Sequence, residues 1–376
     1  MSKLDKLETL LPMHLIEQAA QQQIYDVLDL DFLLRLVIMP DVHMGYHLPI
    51  GGVALLDGYV SPSFVGYDIG CGMCMIRLGL TVAELFGTGS KGEKRKQEVY
   101  DAIYEKIPVG VNVNRAEQVD YPAFRSALGS KELDNKVNAK LRVQLGTLGS
   151  GNHFIEVGRS EANDEVCVTI HSGSRRPGWE VGGHYMKMNQ FFPADSDEGK
   201  AYWEDMTFML EFALQNRAYM MDEMLKILGF NQAERGDLFA NMINENHNHA
   251  VQHADGLLHR KGATPAEVGQ KGVIPIQMGR GVYVTTGLGN EKYLSSASHG
   301  AGRKMSRGKA KRTLDLAEFE NRMKGILAPV CKGTLDEAPM AYKDEDTVID
   351  AQKGIVVDID DAVRPLMVAK GGKNDR

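Results

Sequence analysis

The chain has 376 residues, with 43 Lys+Arg against 50 Asp+Glu for a formal net charge of −7, and 40 glycines, about 11% against roughly 7% on average. That length buries a large core and leaves one large domain or two smaller ones open, while the acidic balance excludes a chain that holds nucleic acid or acidic membrane by overall charge. Four cysteines are too few for a disulfide framework and point to a reducing compartment, with the cytoplasm as the expected location, and no apolar run approaches the roughly eighteen residues of a membrane span.

Leu11 to Leu36 carries helical spacing and runs into Val37-Ile38-Met39, a strand that Pro40 is expected to end. Between Pro40 and Gly79, eight glycines separate β-type segments such as Val53-Ala54-Leu55-Leu56 and Cys74-Met75-Ile76-Arg77-Leu78, the pattern of strands joined by tight turns. Thr81-Val82-Ala83-Glu84 has the spacing of a capping box, and Glu93 to Ile107 reads as a charged amphipathic helix that Pro108 stops. A second glycine-rich block, Leu145 to Gly158, leads into the β-branched strand Val166 to Ile170. Tyr185 to Phe230 is long, Met-rich and helical in pattern, and helical spacing resumes over Asp237 to Asn246 before a histidine cluster at 247 to 253. There is no fixed-period repeat, low-complexity tract or Pro/Ser-rich linker. The expectation is a single α+β domain over 1–376 with a helical insertion at 185–240.

Several segments carry residues suited to chemistry. Asp68-Ile69-Gly70-Cys71 places a carboxylate and a thiolate three apart in a glycine-rich turn, a pairing that suits a borderline divalent ion such as Zn²⁺ or Mn²⁺. A buried Cys beside a turn-forming Asp explains the same residues without a metal. Cys71-Gly72-Met73-Cys74 has no second Cys pair, and Cys74 reads as core. His153 and His171 each stand where a glycine turn meets a strand, so that one ring nitrogen can take a metal while a neighbour holds the other; a satisfied polar residue is the alternative. His247, His249, His253 and His259 add a further group, part of which is expected at the surface.

His299-Gly300-Ala301-Gly302-Arg303 opens a run in which Arg303, Lys304, Arg307, Lys309, Lys311 and Arg312 follow with no acid between them. Glycines near a helix start let backbone N–H groups approach phosphate, and a histidine there can act on phosphorus as nucleophile or general acid. Arg303 and Arg307, spaced i,i+4, are expected to share a helical face, with RNA or nucleotide phosphate as the partner; a solvated basic helix is the plainer reading.

Met39-Pro40-Asp41-Val42-His43, Gly66-Tyr67-Asp68-Ile69-Gly70-Cys71-Gly72-Met73, Leu148-Gly149-Ser150-Gly151-Asn152-His153-Phe154-Ile155-Glu156, His171-Ser172-Gly173-Ser174-Arg175, Arg260-Lys261-Gly262-Ala263, His299-Gly300-Ala301-Gly302-Arg303, Met305-Ser306-Arg307 and Ala338-Pro339-Met340-Ala341-Tyr342-Lys343-Asp344 occur in this order. With them the chain resembles, over nearly its whole length, the RtcB family of RNA-splicing ligases. The resemblance implies an unusual α+β fold and an enzyme that joins an RNA 3′-phosphate or 2′,3′-cyclic phosphate to an RNA 5′-hydroxyl, with GTP and Mn²⁺, in RNA repair or tRNA splicing. It implies Asp68, Cys71, His153, His171 and His247 as ligands of two Mn²⁺ ions bridged by Cys71, and His299 as the nucleophile that takes GMP. Asn152, Phe154, Glu156, Asn248, Gly300, Ala301, Gly302 and Lys370 would contact the guanylate, and Arg175, Arg303 and Arg307 would bind RNA termini or nucleotide phosphates. Its implied partners are the two RNA ends and an archease-like activator, with no membrane.

Two departures accompany the resemblance. Ile276-Gln277-Met278-Gly279 stands where the family usually carries Gly-Ser-Met-Gly, which implies an altered base pocket, and Gly371 to Arg376 extends past the usual Lys-Gly ending. These features imply a divergent paralogue devoted to a particular cleaved RNA. Two other functions remain open on the sequence. One is a metal-dependent RNA 2′,3′-cyclic phosphodiesterase or phosphatase that lost ligation through the changed 276 to 282 strand; the other is a non-catalytic RNA-binding paralogue that uses the basic segment.

Overall fold

A computed structural model describes residues 3–371. In chain order, β1 (Leu7–Thr9) and α1 (Gln18–Leu28) precede β2 (Leu33–His43) and β3 (Ile50–Leu56); β4 (Tyr59–Val60), α2 (Pro62–Val65) and β5 (Gly72–Thr81) follow. Three helices come next, α3 (Val82–Phe86), α4 (Gly89–Lys106) and α5 (Lys131–Gln144), then the hairpin β6 (Phe154–Ser160) and β7 (Glu165–Ser172). Beyond it lie α6 (Arg175–Met188), β8 (Phe192–Pro193), α7 (Asp197–Leu228) and α8 (Gln232–Phe239). Strands β9 (Ile243–Asn246), β10 (Asn248–His253), β11 (Gly256–Lys261), β12 (Ala263–Pro265), β13 (Lys271–Gln277), β14 (Gly281–Gly287) and β15 (Ser296–Ser298) precede α9 (Arg307–Thr313), α10 (Leu316–Arg322), α11 (Glu345–Ile349) and β16 (Val357–Ala369). The fold is α+β, as the sequence implies.

Two larger sheets organise the chain, a five-stranded one in the order β1-β2-β3-β11-β10 and a seven-stranded antiparallel one in the order β13-β14-β16-β6-β7-β5-β9. Period-two alternation divides the larger sheet's side chains between two cores. Cys74, Ile76, Ile155, Val157, Val168 and Ile170 pack against α4 and the Met-rich stripe Met220, Met221 and Met224 of α7. Met73, Met75, Phe154 and Cys167 point the other way, toward Phe319, Met323 and Met340. Cys74 is fully buried, the core residue its motif suggested. No helix among the described residues is long and apolar enough to cross a membrane.

Local signals set several boundaries. Thr81 and Glu84 exchange both capping-box hydrogen bonds at the start of α3, and α4 closes at Ile107, immediately before Pro108. Three expectations change. The helix expected across Leu11 to Leu36 is confined to α1, and β2 already begins at Leu33. Pro40 does not end β2: pairing with β3 breaks between Ile38 and His43, so the proline sits in the irregularity, where its missing N–H costs no rung. Helical structure also stops at Phe239, because Ile243 to Asn246 finds hydrogen-bonding partners on the edge of β5 and becomes β9.

Candidate active site

Turns and strand ends of the two sheets bring the metal-type side chains together. Asp68 and Cys71 occupy the turn between α2 and β5; its hydrogen bonds run from Cys71 N–H to the Asp68 carbonyl at 3.1 Å and from Gly70 N–H to the Asn248 carbonyl at 2.9 Å. His171, the penultimate residue of β7, lies between Met73 of β5 and Phe154 of β6, and His153 immediately precedes β6. His247 is the single residue between β9 and β10, where the chain passes from one sheet to the other, and its N–H donates to the Cys71 carbonyl at 2.7 Å. The side chains converge as a result: Cys71 Sγ, His153 Nε2 and His171 Nε2 all lie within 4.8 Å of one another. Asp68 Oδ2 is 3.0 Å from His153 Nε2, and His171 Nε2 is 3.3 Å from His247 Nε2.

Charge and hydrogen bonding fit this cluster to a divalent ion. His153 Nδ1 faces the Leu148 carbonyl at 3.1 Å and His171 Nδ1 faces the Asn152 carbonyl at 3.2 Å, which puts the ring protons there and turns both Nε2 lone pairs inward. Arg175 Nη1 also lies 3.2 Å from His153 Nδ1, but a nitrogen donating to a carbonyl cannot accept from a guanidinium, so the carbonyl bond governs. Burial, reinforced by neighbouring imidazoles, holds His171 and His247 well below the usual imidazole range, so both stay neutral and able to ligate. Burial also opposes the Asp68 charge, yet His153, when its ring carries both protons, and the Arg175 guanidinium hold its carboxyl well below the ordinary value. Burial, and then Asp68, push the Cys71 thiol well up; a cation beside Sγ would reverse that shift. One thiolate, three imidazoles and a carboxylate form a donor set for a borderline transition ion.

A cavity of about 450 Å³ adjoins the cluster, with His299 on its wall and the His247 and His299 ring centroids 4.8 Å apart. His299 Nδ1 lies 2.6 Å from Oδ2 of the fully buried Asp41, which fixes the proton on Nδ1 and leaves Nε2 as the ring's nucleophilic nitrogen. Gly302 makes this approach possible: at φ +72°, its place would put a Cβ 2.1 Å from the Asp41 carbonyl oxygen. Gly173 does the same for the metal cluster, since a Cβ there would lie 2.3 Å from Asp68 Oδ1. The cavity wall also includes Asn152, Phe154, Glu156, Gly300, Ala301, Gly302, Arg303, Arg307 and Lys370. Glu156 is buried, Oε1 has no partner among the described residues, and burial pushes its carboxyl up to about 8.

Other sequence candidates lie differently. Asn248 is not on the cavity wall; its amide ties the Asp68 carbonyl to the Gly262 N–H at 3.1 and 2.8 Å. Arg303 precedes α9 and so shares no helical face with Arg307; the two meet instead on the Glu337 carboxylate. Lys370 Nζ reaches the same buried carboxylate at 2.6 Å and the Tyr342 hydroxyl donates to it at 2.6 Å, and Asp336 and Glu337, distant in sequence, partner the basic run. Ile276 is buried on the cavity wall, while Gln277 Oε1 accepts from Gly279 N–H at 2.6 Å and is spent on its own turn. The tail from Gly372 to Arg376 lies outside the described residues.

Two residues had no role on sequence grounds. Asp41 lay within a family motif, and only the fold shows its contact with His299. Arg217 of α7 is fully buried; its Nη1 donates to the Gly70 carbonyl at 2.8 Å and the Ser172 carbonyl at 2.9 Å, its Nε to Asn244 at 2.7 Å and its Nη2 to Asn246 at 2.8 Å. Gly70, Ser172 and Asn246 each adjoin a residue of the cluster, Cys71, His171 and His247. The available signal was the adjacent polar pair Asn216-Arg217 within the largely apolar buried stripe of α7.

A family model described as tRNA-splicing ligase RtcB matches residues 23–371. The RNA-splicing ligase RtcB of Escherichia coli strain K12 is 33% identical over 399 residues, covering 95% of each chain, and RtcB1 of another Escherichia coli strain is 32% identical with the same coverage. The tRNA-splicing ligase RtcB of Archaeoglobus fulgidus is 31% identical over 445 residues, covering 96% of this chain and 92% of that protein. A match of this extent, over a chain whose motifs meet around one cluster and one cavity, means that the protein belongs to the RtcB family of tRNA-splicing ligases.

Proposed function

We propose that the chain is a GTP-dependent RNA ligase that joins 3′-phosphate or 2′,3′-cyclic phosphate ends to 5′-hydroxyl ends, in RNA repair or tRNA splicing, through a His299–GMP intermediate. The observation that carries this reading is His299 itself, with Nδ1 held by buried Asp41 and its ring between the metal-type cluster and a nucleotide-sized cavity. On this reading residues 1–376 form one ligase domain, with the helices of 185–240 as an insertion that supports the metal ligands. Four cysteines in 376 residues favour a reducing, cytoplasmic setting. An archease-like activator belongs to the reading on family resemblance.

Asp68, Cys71, His153, His171 and His247 would hold two Mn²⁺ ions, which would supply Lewis acidity toward phosphate oxygens. His299 Nε2 attacks the α-phosphorus of GTP, a P–N bond forms, and pyrophosphate leaves. An oxygen of the RNA 3′-phosphate then displaces the imidazole, giving an RNA 3′-phosphate–GMP anhydride. Attack by the 5′-hydroxyl on the RNA phosphorus forms the phosphodiester and releases GMP. Through these steps Asp41 keeps the His299 tautomer fixed. Arg175, whose buried Nε has no partner among the described residues, suits the terminal phosphate. Glu156 offers an acceptor for the N1–H and N2 amino group of guanine, donors that adenine does not present in that arrangement.

The direct assay supplies RNA with a labelled 3′-phosphate, a 5′-hydroxyl strand, MnCl₂ and GTP. The expected product is a joined strand that retains the label in its new linkage. Opening of a cyclic phosphate without joining at saturating GTP would instead establish the phosphodiesterase alternative.

A further inference from the structure

A second cavity, of about 410 Å³, shares Asn152 with the nucleotide cavity and reaches Asp68, His153 and Arg175. Beyond these residues its wall is of another kind. Tyr67 and Trp179 stack with centroids 5.3 Å apart and planes 20° from parallel, and the Arg176 guanidinium carbon sits 3.9 Å from the Trp179 centroid. The aromatic surface continues outward through Tyr46, edge-on to Tyr67 at 5.3 Å. Trp179 is 42% exposed, although α6 has buried positions available on its other face. Val111 and Val113, 76% and 42% exposed, line the same cavity.

We propose that this cavity seats the terminal nucleobase of a single-stranded RNA end on the Tyr67–Trp179–Arg176 column. The inference rests on the ligase reading and names the subsite that receives substrate beside the reacting phosphate. Flat rings capped by a guanidinium are the usual platform for an unpaired base, and stacking on them is tolerant of sequence. The platform is held to the site by chain continuity: Tyr67 precedes Asp68, and Arg176 follows Arg175. Arg176 is also oriented, with Nε donating to Glu180 at 2.8 Å and its own N–H to Gln144 at 2.8 Å. A nucleotide suits both halves of the cavity, its base meeting the column and its phosphate meeting the unpartnered Nε of Arg175. An apolar peptide would leave that guanidinium unanswered.

The chain has two tryptophans, so Trp203→Phe leaves Trp179 as the sole reporter. Short RNAs, one ending in a 3′-phosphate and one beginning with a 5′-hydroxyl, are titrated separately with Mn²⁺ present and GTP omitted. The expected result is quenching of Trp179 by one arm, which also identifies the strand, with affinity falling roughly tenfold or more when the terminal nucleotide is abasic. Filter binding of Trp179→Ala, in the otherwise unaltered chain, should show a comparable loss that Trp179→Phe largely restores, and in joining assays KM for that RNA should rise more than kcat falls. Quenching by neither arm, together with Trp179→Ala affinity unchanged for both RNAs, overturns the proposal. The titration needs no GTP, so its outcome holds whether or not the His299 adduct forms; adduct formation reports separately on the ligase reading.

Discussion

Replacing Arg217 by Met tests whether one buried guanidinium holds the proposed metal ligands in register. The side chain donates four hydrogen bonds, at 2.7 to 2.9 Å, to the carbonyls of Gly70 and Ser172 and the amide oxygens of Asn244 and Asn246. Met retains much of the volume but leaves these buried oxygens without that donor, at roughly 1–3 kcal/mol each where water cannot enter. Relief of the buried charge offsets part of this loss, so a net destabilisation of about 3–5 kcal/mol is expected. A second effect is electrostatic. Arg217 favours the Cys71 thiolate against burial, so its removal shifts thiol ionisation, and with it metal binding, to higher pH. Urea melts measure the first effect, and Mn²⁺ titrations between neutral and mildly alkaline pH measure the second, where a 10–100-fold loss of affinity is expected from disturbed ligand support. Arg217→Lys should recover only part of either, because an ammonium cannot span all four acceptors. A Met variant within about 1 kcal/mol of the parent, with equal Mn²⁺ affinity across that pH range, would refute the reasoning.

Three further outcomes follow from single contacts. Asp41→Asn removes the charge that fixes the His299 tautomer, so labelled-GMP incorporation should slow by roughly 10²–10⁴-fold in a folded protein; a rate within about threefold of the parent would refute that role. Glu156, pushed up to about 8 in the fold from 4.5, keeps a proton that the unfolded chain has released between those values, so its stabilisation is full below 4.5 and lost as pH rises through 8. The ligand-free parent should therefore lose more stability than Glu156→Gln between mildly acid and alkaline pH, by up to about 5 kcal/mol at ~1.4 kcal/mol per unit, and parallel pH profiles of melting temperature would contradict this. Co²⁺ should bind with a near-ultraviolet thiolate charge-transfer band that weakens as pH falls and is absent from Cys71→Ser; an unaltered band in that variant would remove Cys71 from the ligand set.

The sequence was most legible where a local rule acts alone. The capping box at Thr81, the helix stop before Pro108 and the buried Cys74 all follow from neighbours within a few residues. It misled where partners came from afar. Pro40 is tolerated because pairing with β3 lapses there, and Ile243 to Asn246 becomes a strand because β5 offers an edge. The basic run from Arg303 to Arg312 looked free of acids, yet Asp336 and Glu337 return to pair with Arg303, Arg307 and Lys311. The glycine excess acquired a partial physical meaning, since Gly173 and Gly302 stand where a Cβ would collide with Asp68 and Asp41. Motifs singled out the candidate residues, but the convergence of β5, β6, β7 and the β9–β10 junction was needed to bring them together.

The central claim is that His299 carries the nucleotide, and one measurement addresses it most directly. Protein incubated with Mn²⁺ and α-labelled GTP is digested and the modified peptide mapped by mass spectrometry. The account predicts an acid-labile, alkali-stable GMP adduct on His299 that is lost in His299→Ala and formed poorly from ATP. An adduct on a lysine such as Lys261, or none from any nucleoside triphosphate, would contradict it.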